Sequence, residues 1–123
     1  MEREAFEKIA EQAFEGLPEQ FREAIENVGV VIEEYPDEEL VHKMRLRSKH
    51  HLLGLYQGVP LPLRGTWYGM TAIAPDKISL YQKNIEAVCR TEREIIDKIH
   101  EVLIHEVGHY FGMSEEEIRA AGF

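Results

Sequence analysis

The feature that most constrains the fold is a predicted helix from about Glu92 to Phe111, because both of its ends are marked in the sequence. Thr91 followed by Glu94 has the form of a capping box, which begins a helix at the next residue. Gly112 follows at the position where a left-handed residue ends a helix. Helical spacing predicts a broad arc that faces the core and carries Ile96, Ile99, His100, Leu103, Ile104, Val107, Tyr110 and Phe111.

Further helices are predicted on both sides of this one. Apolar residues at three- and four-residue steps predict a helix from about Glu2 to Glu15. Pro18 can open a second short helix. Its apolar side would carry Phe21, Ala24 and Ile25. Ser114 with Glu117 has the form of another capping box, so a short last helix is expected to begin at Glu115.

The middle of the chain is predicted to hold strands, turns and a long loop. A β-branched run predicts a strand from Val28 to Glu34, and residues 36–39 (PDEE) predict a turn after it. Alternating charges predict a strand over about residues 41–48. Residues 52–75 are rich in glycine and proline, so a loop with little regular structure is expected. Another strand is predicted from about Lys77 to Asn84.

Composition bounds the class of protein. The 123 residues suit a single domain spanning residues 1–123, and a hydrophobic content of 44% is ordinary for a soluble protein. Cys89 is the only cysteine, so no internal disulfide can form, and the charged N-terminus lacks the apolar run of a secretory signal. No stretch approaches the roughly 18 apolar residues of a membrane span. A soluble, cytoplasmic protein without a membrane partner is therefore expected.

The charge balance argues against nucleic acid as a partner. The formal net charge is −9, whereas nucleic-acid binding draws much of its affinity from cationic contacts with phosphates. The one basic cluster, at residues 42–51, is interpreted as the solvated face of a strand, with an anion-binding site as the alternative.

The long helix carries two histidines four residues apart. At about 100° per residue, His105 and His109 project only about 40° apart, so both imidazoles can bind one ion at the polar edge of the apolar arc. Glu106 lies about 100° from His105 and can reach a water on that ion without being a ligand. Zinc lowers the pKa of such a water to about 7 and polarises a carbonyl. The pattern His-Glu-x-x-His therefore favours metal-assisted amide hydrolysis with Glu106 as the general base.

A third ligand is expected just beyond the helix. After Gly112 the chain can turn back toward the histidines, which brings Glu115 to the first position of the last helix. Glu115 is therefore predicted as the third zinc ligand, with Glu116 as the alternative. Stabilisation of a helix N-terminus would also explain an acidic residue at either position.

Other side chains could surround this site. His100 is predicted to be a hydrogen-bonded core histidine, whereas His50 or His51 could approach the cleft. The strand at 77–84 is a candidate edge on which an extended substrate could pair. The developing oxyanion would need a donor besides zinc. The candidates are Tyr68, Tyr81 and Tyr110, the last disfavoured by its place on the core arc.

Residues 105–115, with PDKISLYQKNIE at 75–86 and GLYQGVPLPLR at 54–64, resemble small bacterial zinc metallopeptidases with a minimal zincin-like domain. The resemblance implies an α+β fold in which a small mixed sheet packs against a long metal-binding helix. It also implies zinc at His105, His109 and the acidic residue at position 115, with Glu106 as the base. The motif is similar to that of the metzincins as well, but has Glu115 where their third ligand is usually histidine.

The leading functional prediction is a zinc-dependent peptidase that acts on an unidentified peptide or protein. The alternatives are a non-catalytic zinc-binding interaction domain and a metal-dependent nuclease, and the negative charge argues against the nuclease. An open position on the metal would favour the peptidase, whereas a fourth protein ligand would favour the interaction domain.

Overall fold

A computed structural model describes residues 1–17, 19, 22, 28–58 and 76–120. Its elements, in chain order, are α1 (Arg3–Glu15), β1 (Val28–Glu33), α2 (Glu38–Lys43), a 3₁₀ turn (Lys49–His51), β2 (Gly54–Gln57), β3 (Asp76–Tyr81), α3 (Gln82–Ala87), α4 (Glu92–Tyr110) and α5 (Glu115–Ala120). Within these ranges, no helix has both the length and the apolar character needed to cross a bilayer.

The three strands form a mixed sheet with the order β1-β3-β2. β1 runs parallel to β3 and β2 runs antiparallel to it. Ile32, Ile78 and Leu80 lie on one face of the sheet and are buried in the core that the sheet forms with α1 and α4. The predicted α+β fold, with a small mixed sheet on a long helix, is therefore confirmed.

The helices α1 and α4 follow their local sequence signals closely. In α1, Phe6, Ala10 and Ala13 are buried at three- and four-residue steps. In α4, the Glu94 N–H donates to Thr91 Oγ1 at 3.1 Å, and the Thr91 N–H donates to Glu94 Oε2 at 3.0 Å. The capping box thus satisfies donors that have no partner inside the helix, and it sets the start of α4 at the predicted residue.

The buried arc of α4 is rotated relative to the prediction. Its most buried side chains include Ile99, Val102 and Leu103, whereas His100 is exposed and its Nδ1 lies 2.9 Å from the Ile96 carbonyl oxygen. The prediction of a core histidine was therefore wrong. His100 lies outside the buried face of α4. Its ring is exposed to solvent, and its hydrogen bond is to a carbonyl of the same helix.

The predicted strand at residues 41–48 is also wrong. The Asp37 side chain accepts the Leu40 N–H at 2.7 Å and caps α2, so the predicted turn at 36–39 becomes the start of a helix. α2 ends at Lys43, and Arg45 then adopts a left-handed φ of 55°. Alternation over so few residues was a weaker signal than this helix cap.

The strand predicted at 77–84 ends earlier and lies elsewhere in the sheet. It stops at Tyr81 and continues directly into α3. Its position is central, with β1 on one side and β2 on the other, so it offers no edge to a substrate. Alternating residues reveal which faces of a strand are buried, but not which of its backbone edges are paired.

Two further predictions fall partly or wholly beyond the described ranges. β2 lies inside the long loop predicted at 52–75, so the first part of that segment has more regular structure than expected. Residues 59–75 lie outside the described residues, as do most of those in the short helix predicted after Pro18, including Phe21, Ala24 and Ile25.

Gly54 allows β2 to lie directly against α4. A Cβ atom at this position would be 2.6 Å from Val102 Cγ1 and 3.2 Å from the Ser79 carbonyl oxygen. Real Cβ atoms essentially never approach other atoms at the shorter of these distances. The absence of a side chain therefore sets the separation of the strand and the helix.

We expect Gly54→Ala to lower the free energy of unfolding by about 1–3 kcal/mol, because the added methyl overpacks this contact. Gly29→Ala is the matched control, since a Cβ atom on Gly29 in β1 would meet nothing within 4 Å. That variant should be as stable as the parent protein or more stable by up to about 1 kcal/mol. Urea denaturation measures both, and equal losses would contradict the close approach at Gly54.

Candidate metal centre

His105 and His109 lie side by side on one surface of α4. Their ring centroids are 5.3 Å apart and the ring planes meet at 81°. The two side chains are 29% and 32% exposed, so they lie at the boundary between the core and solvent. The helical spacing of four residues thus places both imidazoles where they can be reached from outside.

The end of α4 turns the chain back toward these histidines. Gly112 has a left-handed φ of 75°, and its N–H donates to the His109 carbonyl at 2.9 Å. The Met113 N–H donates to the Gly108 carbonyl at 3.0 Å. These two hydrogen bonds form a Schellman motif, in which glycine is favoured because it has no Cβ atom to clash.

A second capping box begins α5 immediately after the turn. The Glu117 N–H donates to Ser114 Oγ at 3.2 Å, and the Ser114 N–H donates to Glu117 Oε1 at 3.1 Å. Glu115 is therefore the first residue of α5, as predicted.

Ile118 holds α5 against α4. Its side chain is 1% exposed and packs at Gly108, where a Cβ atom would lie 2.7 Å from Ile118 Cδ1. Gly108 lies between the two histidines in sequence. The contact thus brings the start of α5 over the histidine pair.

The Glu115 carboxylate meets both imidazoles. Its Oε2 lies 2.5 Å from His105 Nε2 and its Oε1 lies 3.0 Å from His109 Nε2. Partial burial acts to raise the pKa of Glu115, but the His105 charge and the hydrogen bonds with both imidazoles outweigh it and hold that pKa below its ordinary value.

These three side chains form a group that could hold a metal ion. One ligand atom from each lies within 4.8 Å of the others, and within residues 1–17, 19, 22, 28–58 and 76–120 no other set of three His, Cys, Asp or Glu side chains does so. Glu116 is exposed and outside the group. Glu117, its neighbour, is engaged in the capping box.

Glu106 is buried where α4 meets β2, whereas the two histidines are partly exposed. It is 8% exposed, and its Oε1 accepts the main-chain N–H of Tyr56 at 2.8 Å. Burial raises the pKa of Glu106 above its ordinary value and the Glu115 charge adds to this, while the Tyr56 N–H and both imidazoles act in the opposite direction without cancelling it. The structure thus holds this carboxylate more deeply than the sequence indicated.

Tyr56 is a neighbour of the site that the sequence did not reveal. Its hydroxyl donates to Asp76 Oδ2 at 2.6 Å. Its ring packs edge-on against Tyr110, with centroids 5.7 Å apart. The available signal was the pair of glycines on either side, Gly54 and Gly58, because glycine within a strand often marks a close backbone approach.

The other predicted candidates lie away from the centre or in the core. His50 and His51 belong to the exposed 3₁₀ turn, and the His50 ring contacts Tyr35 at 5.2 Å. Tyr110 is buried, as expected from its place on α4. Tyr81 is buried too, and burial, with the charge of Glu33, raises its pKa to about 12. The third tyrosine candidate, Tyr68, lies outside the described residues.

The raised pKa of Glu106 predicts a pH-dependent stability in the metal-free protein. The folded state holds the Glu106 proton more tightly than the unfolded chain, whose carboxyl has a pKa near 4.5. Stability should therefore fall as pH rises from 4.5 through the raised pKa. We expect Glu106→Gln, which keeps an acceptor for Tyr56, to be more stable than the parent at neutral pH but not below about pH 4.5.

Chemical denaturation in the presence of a chelator, at several pH values, measures this difference. Glu101→Gln is the control on the same helix, because the Glu101 side chain is 66% exposed and pairs with Lys98 on the surface. A Glu106→Gln variant that is less stable than the parent at neutral pH would show that the buried charge does not cost stability.

Comparisons with known proteins identify the family and support the fold. The sequence profile of a family described as zincin-like metallopeptidase matches residues 25–123. Among solved structures, a conserved hypothetical protein from Thermo thermophilus is similar, with a TM-score of 0.56 and 22% identity over 90% of this chain and 94% of that one. At this identity the likeness concerns the fold alone. No curated protein matches the chain significantly. Since the family profile covers most of the sequence, the chain belongs to the zincin-like metallopeptidase family, and this membership implies a metal ion.

Proposed function

We propose that this protein is a zinc-dependent peptidase in which His105, His109 and Glu115 hold the ion and Glu106 is the general base. The observation that carries the proposal is that two imidazoles from α4 and one carboxylate from α5 place ligand atoms within 4.8 Å of one another. Family membership supports the same class of chemistry.

The donor set fits zinc. Two imidazoles and a carboxylate are ligands that zinc accepts in catalytic sites. The Nε2 atoms of both histidines face the same carboxylate, so the three donors already point at one another. No large rearrangement of α4 or α5 is required to bring them onto one ion.

The exposure of the group supports catalysis rather than a closed structural site. The side chains of His105, His109 and Glu115 are 29%, 32% and 56% exposed. Structural zinc sites are usually closed by four protein ligands, whereas catalytic sites keep a position open. Among the described residues the group has three members on an accessible surface, which favours the peptidase over the non-catalytic interaction domain.

Zinc, when bound, would supply a Lewis acid that lowers the pKa of water to about 7 and polarises a substrate carbonyl. Glu106 follows His105 in the chain and its carboxylate can accept the proton of the attacking water and later pass it to the leaving amine. Burial favours this role, because a raised pKa makes Glu106 a stronger proton acceptor than an exposed glutamate.

The outer edge of β2 supports an extended peptide as the substrate. The Tyr81 N–H donates to the Leu53 carbonyl, so Leu53 is a residue whose backbone groups point toward β3. In an antiparallel pair every second residue does the same, and the backbone groups of the residues between, including Tyr56, point away from β3. The Tyr56 N–H accordingly reaches Glu106 on α4. Thus β2, and not β3, is the described strand whose outer edge borders the metal centre, and extended chains bind by pairing with such edges.

The ligand assignment predicts a specific pattern of zinc content. Alanine substitution of His105, His109 or Glu115 should reduce bound zinc from about one ion per chain to a small fraction, because two ligands hold zinc poorly. Glu116→Ala should retain the ion, since Glu116 lies outside the group. Elemental analysis after dialysis measures this, and full zinc in Glu115→Ala would exclude Glu115 as a ligand.

The base assignment predicts that Glu106→Gln keeps zinc but loses hydrolysis. We expect a fall of about 10²–10⁴-fold in kcat, the usual contribution of a general base. The assay uses a library of quenched fluorescent peptides, with Glu101→Gln as the control that should cleave like the parent. Equal cleavage by Glu106→Gln and the parent would contradict the base assignment, and no cleavage by a fully zinc-loaded parent would contradict the peptidase.

A further inference from the structure

We propose that Tyr56 is a positioning residue for Glu106, and that the hydrogen bond from its hydroxyl to Asp76 is what holds it in position. This inference rests on the proposed function, in which Glu106 is the general base. It concerns a chain of contacts that begins in the core, passes through an edge strand and ends at the reacting carboxylate.

The first link is the contact between Tyr56 and Glu106. The Tyr56 main-chain N–H lies 2.8 Å from Glu106 Oε1. A glutamate side chain has three rotatable torsions, so a carboxylate near a metal centre needs a second contact to keep one orientation. Because the donor here belongs to the main chain, the orientation of Glu106 depends on where β2 lies.

The second link is what fixes β2. The strand has four residues, from Gly54 to Gln57, and among the described strands it pairs with β3 alone. Short edge strands are held weakly by ladder hydrogen bonds alone. On the core face, the contacts of the Tyr56 side chain include a hydrogen bond from its hydroxyl to Asp76 and packing of its ring on Tyr110.

The third link is the depth of Asp76. This carboxylate is 1% exposed and lies at the first position of the central strand β3. Gly58, just after β2, has a φ of 155°, and a Cβ atom there would lie 2.2 Å from Asp76 Oδ1. Because Gly58 has no side chain, the Asp76 carboxylate can lie against the end of β2. The Tyr56 hydroxyl is one of the groups that bind this carboxylate.

Together the three links connect the buried carboxylate of Asp76 to the proposed base Glu106 through Tyr56. Loss of the hydroxyl would remove the anchor but leave the Tyr56 N–H, the aromatic ring and every metal ligand in place. A shift of Glu106 by about 1 Å would follow from a shift of β2, and displacements of that size can cost about 10²-fold in rate.

Tyr56→Phe tests the proposal, with Tyr35→Phe as the matched control. Both substitutions delete one hydroxyl, but Tyr35 packs against His50 and Lys49, away from the metal centre. Each zinc-loaded protein is assayed for zinc content, for kcat and KM on one peptide cleaved from the quenched library, and for hydrogen exchange at the residue 56 amide.

We expect Tyr56→Phe to keep its zinc, to lose about 10–100-fold in kcat, and to exchange the residue 56 amide at least about tenfold faster. Tyr35→Phe should match the parent in all four measurements. Unchanged kcat and amide exchange in Tyr56→Phe would overturn the proposal. A loss of bound zinc together with the fall in kcat would also overturn it, because that combination would reveal a general structural role.

Two further variants keep the test decisive. Asp76→Asn retains an acceptor for the hydroxyl and should keep most of the parent's kcat, whereas full kcat in a folded Asp76→Ala protein would overturn the proposal. If the parent cleaves no peptide, the proposed function fails, but the positioning contact is still decided by exchange. In that case Glu106→Ala must accelerate exchange of the Tyr56 amide, and an unchanged rate would disprove the contact.

Discussion

The packing of α4 against β2 imposes the constraint on which the site depends. The side of α4 that enters the core carries not only Leu103 and Val107 but also Glu106, because helical spacing places all three on one face. Burying a carboxylate is costly unless it is hydrogen-bonded. Here the bond comes from the edge of the sheet, through the Tyr56 N–H. The contact that closes the core is therefore the same contact that orients the proposed base.

The histidines show the complementary half of this arrangement. His105 precedes Glu106 by one residue, and His109 follows it by three. Both side chains are rotated out of the core and contact Glu115 at the surface. A single helix thus presents a buried carboxylate and an accessible pair of imidazoles without any change in its backbone. The two environments push the carboxyl pKa values of Glu106 and Glu115 in opposite directions, the first upward by burial and the second downward through the imidazoles.

The parts that could be predicted from sequence are those decided by neighbouring residues. The two capping boxes and Gly112 act over three or four residues, so they located both ends of α4, the start of α5 and hence the approach of Glu115 to the histidines. The parts that failed depend on distant segments. Nothing near β3 shows that strands lie on both sides of it, and nothing near His100 shows where the sheet ends. The Tyr56 contact with Glu106 joins residues 50 positions apart and uses a main-chain atom, so the identity of residue 56 carried no signal for it and only the neighbouring glycines indicated a close backbone approach.

The packing of Ile118 at Gly108 links metal affinity to the order of a helix that could not persist alone. α5 has six residues, and isolated helices shorter than about 12–15 residues are marginal in water. In the proposed site, Ile118 docks α5 with Glu115 already against both histidines, so little of the binding free energy of the ion is needed to order α5. An ion present at about 100 times its Kd would stabilise this docked state further, by about 2.7 kcal/mol. The burial of Ile118, which offers no ligand atom, would therefore control how tightly the proposed site retains a metal ion. Selection could tune that retention at Ile118 while every ligand stays the same.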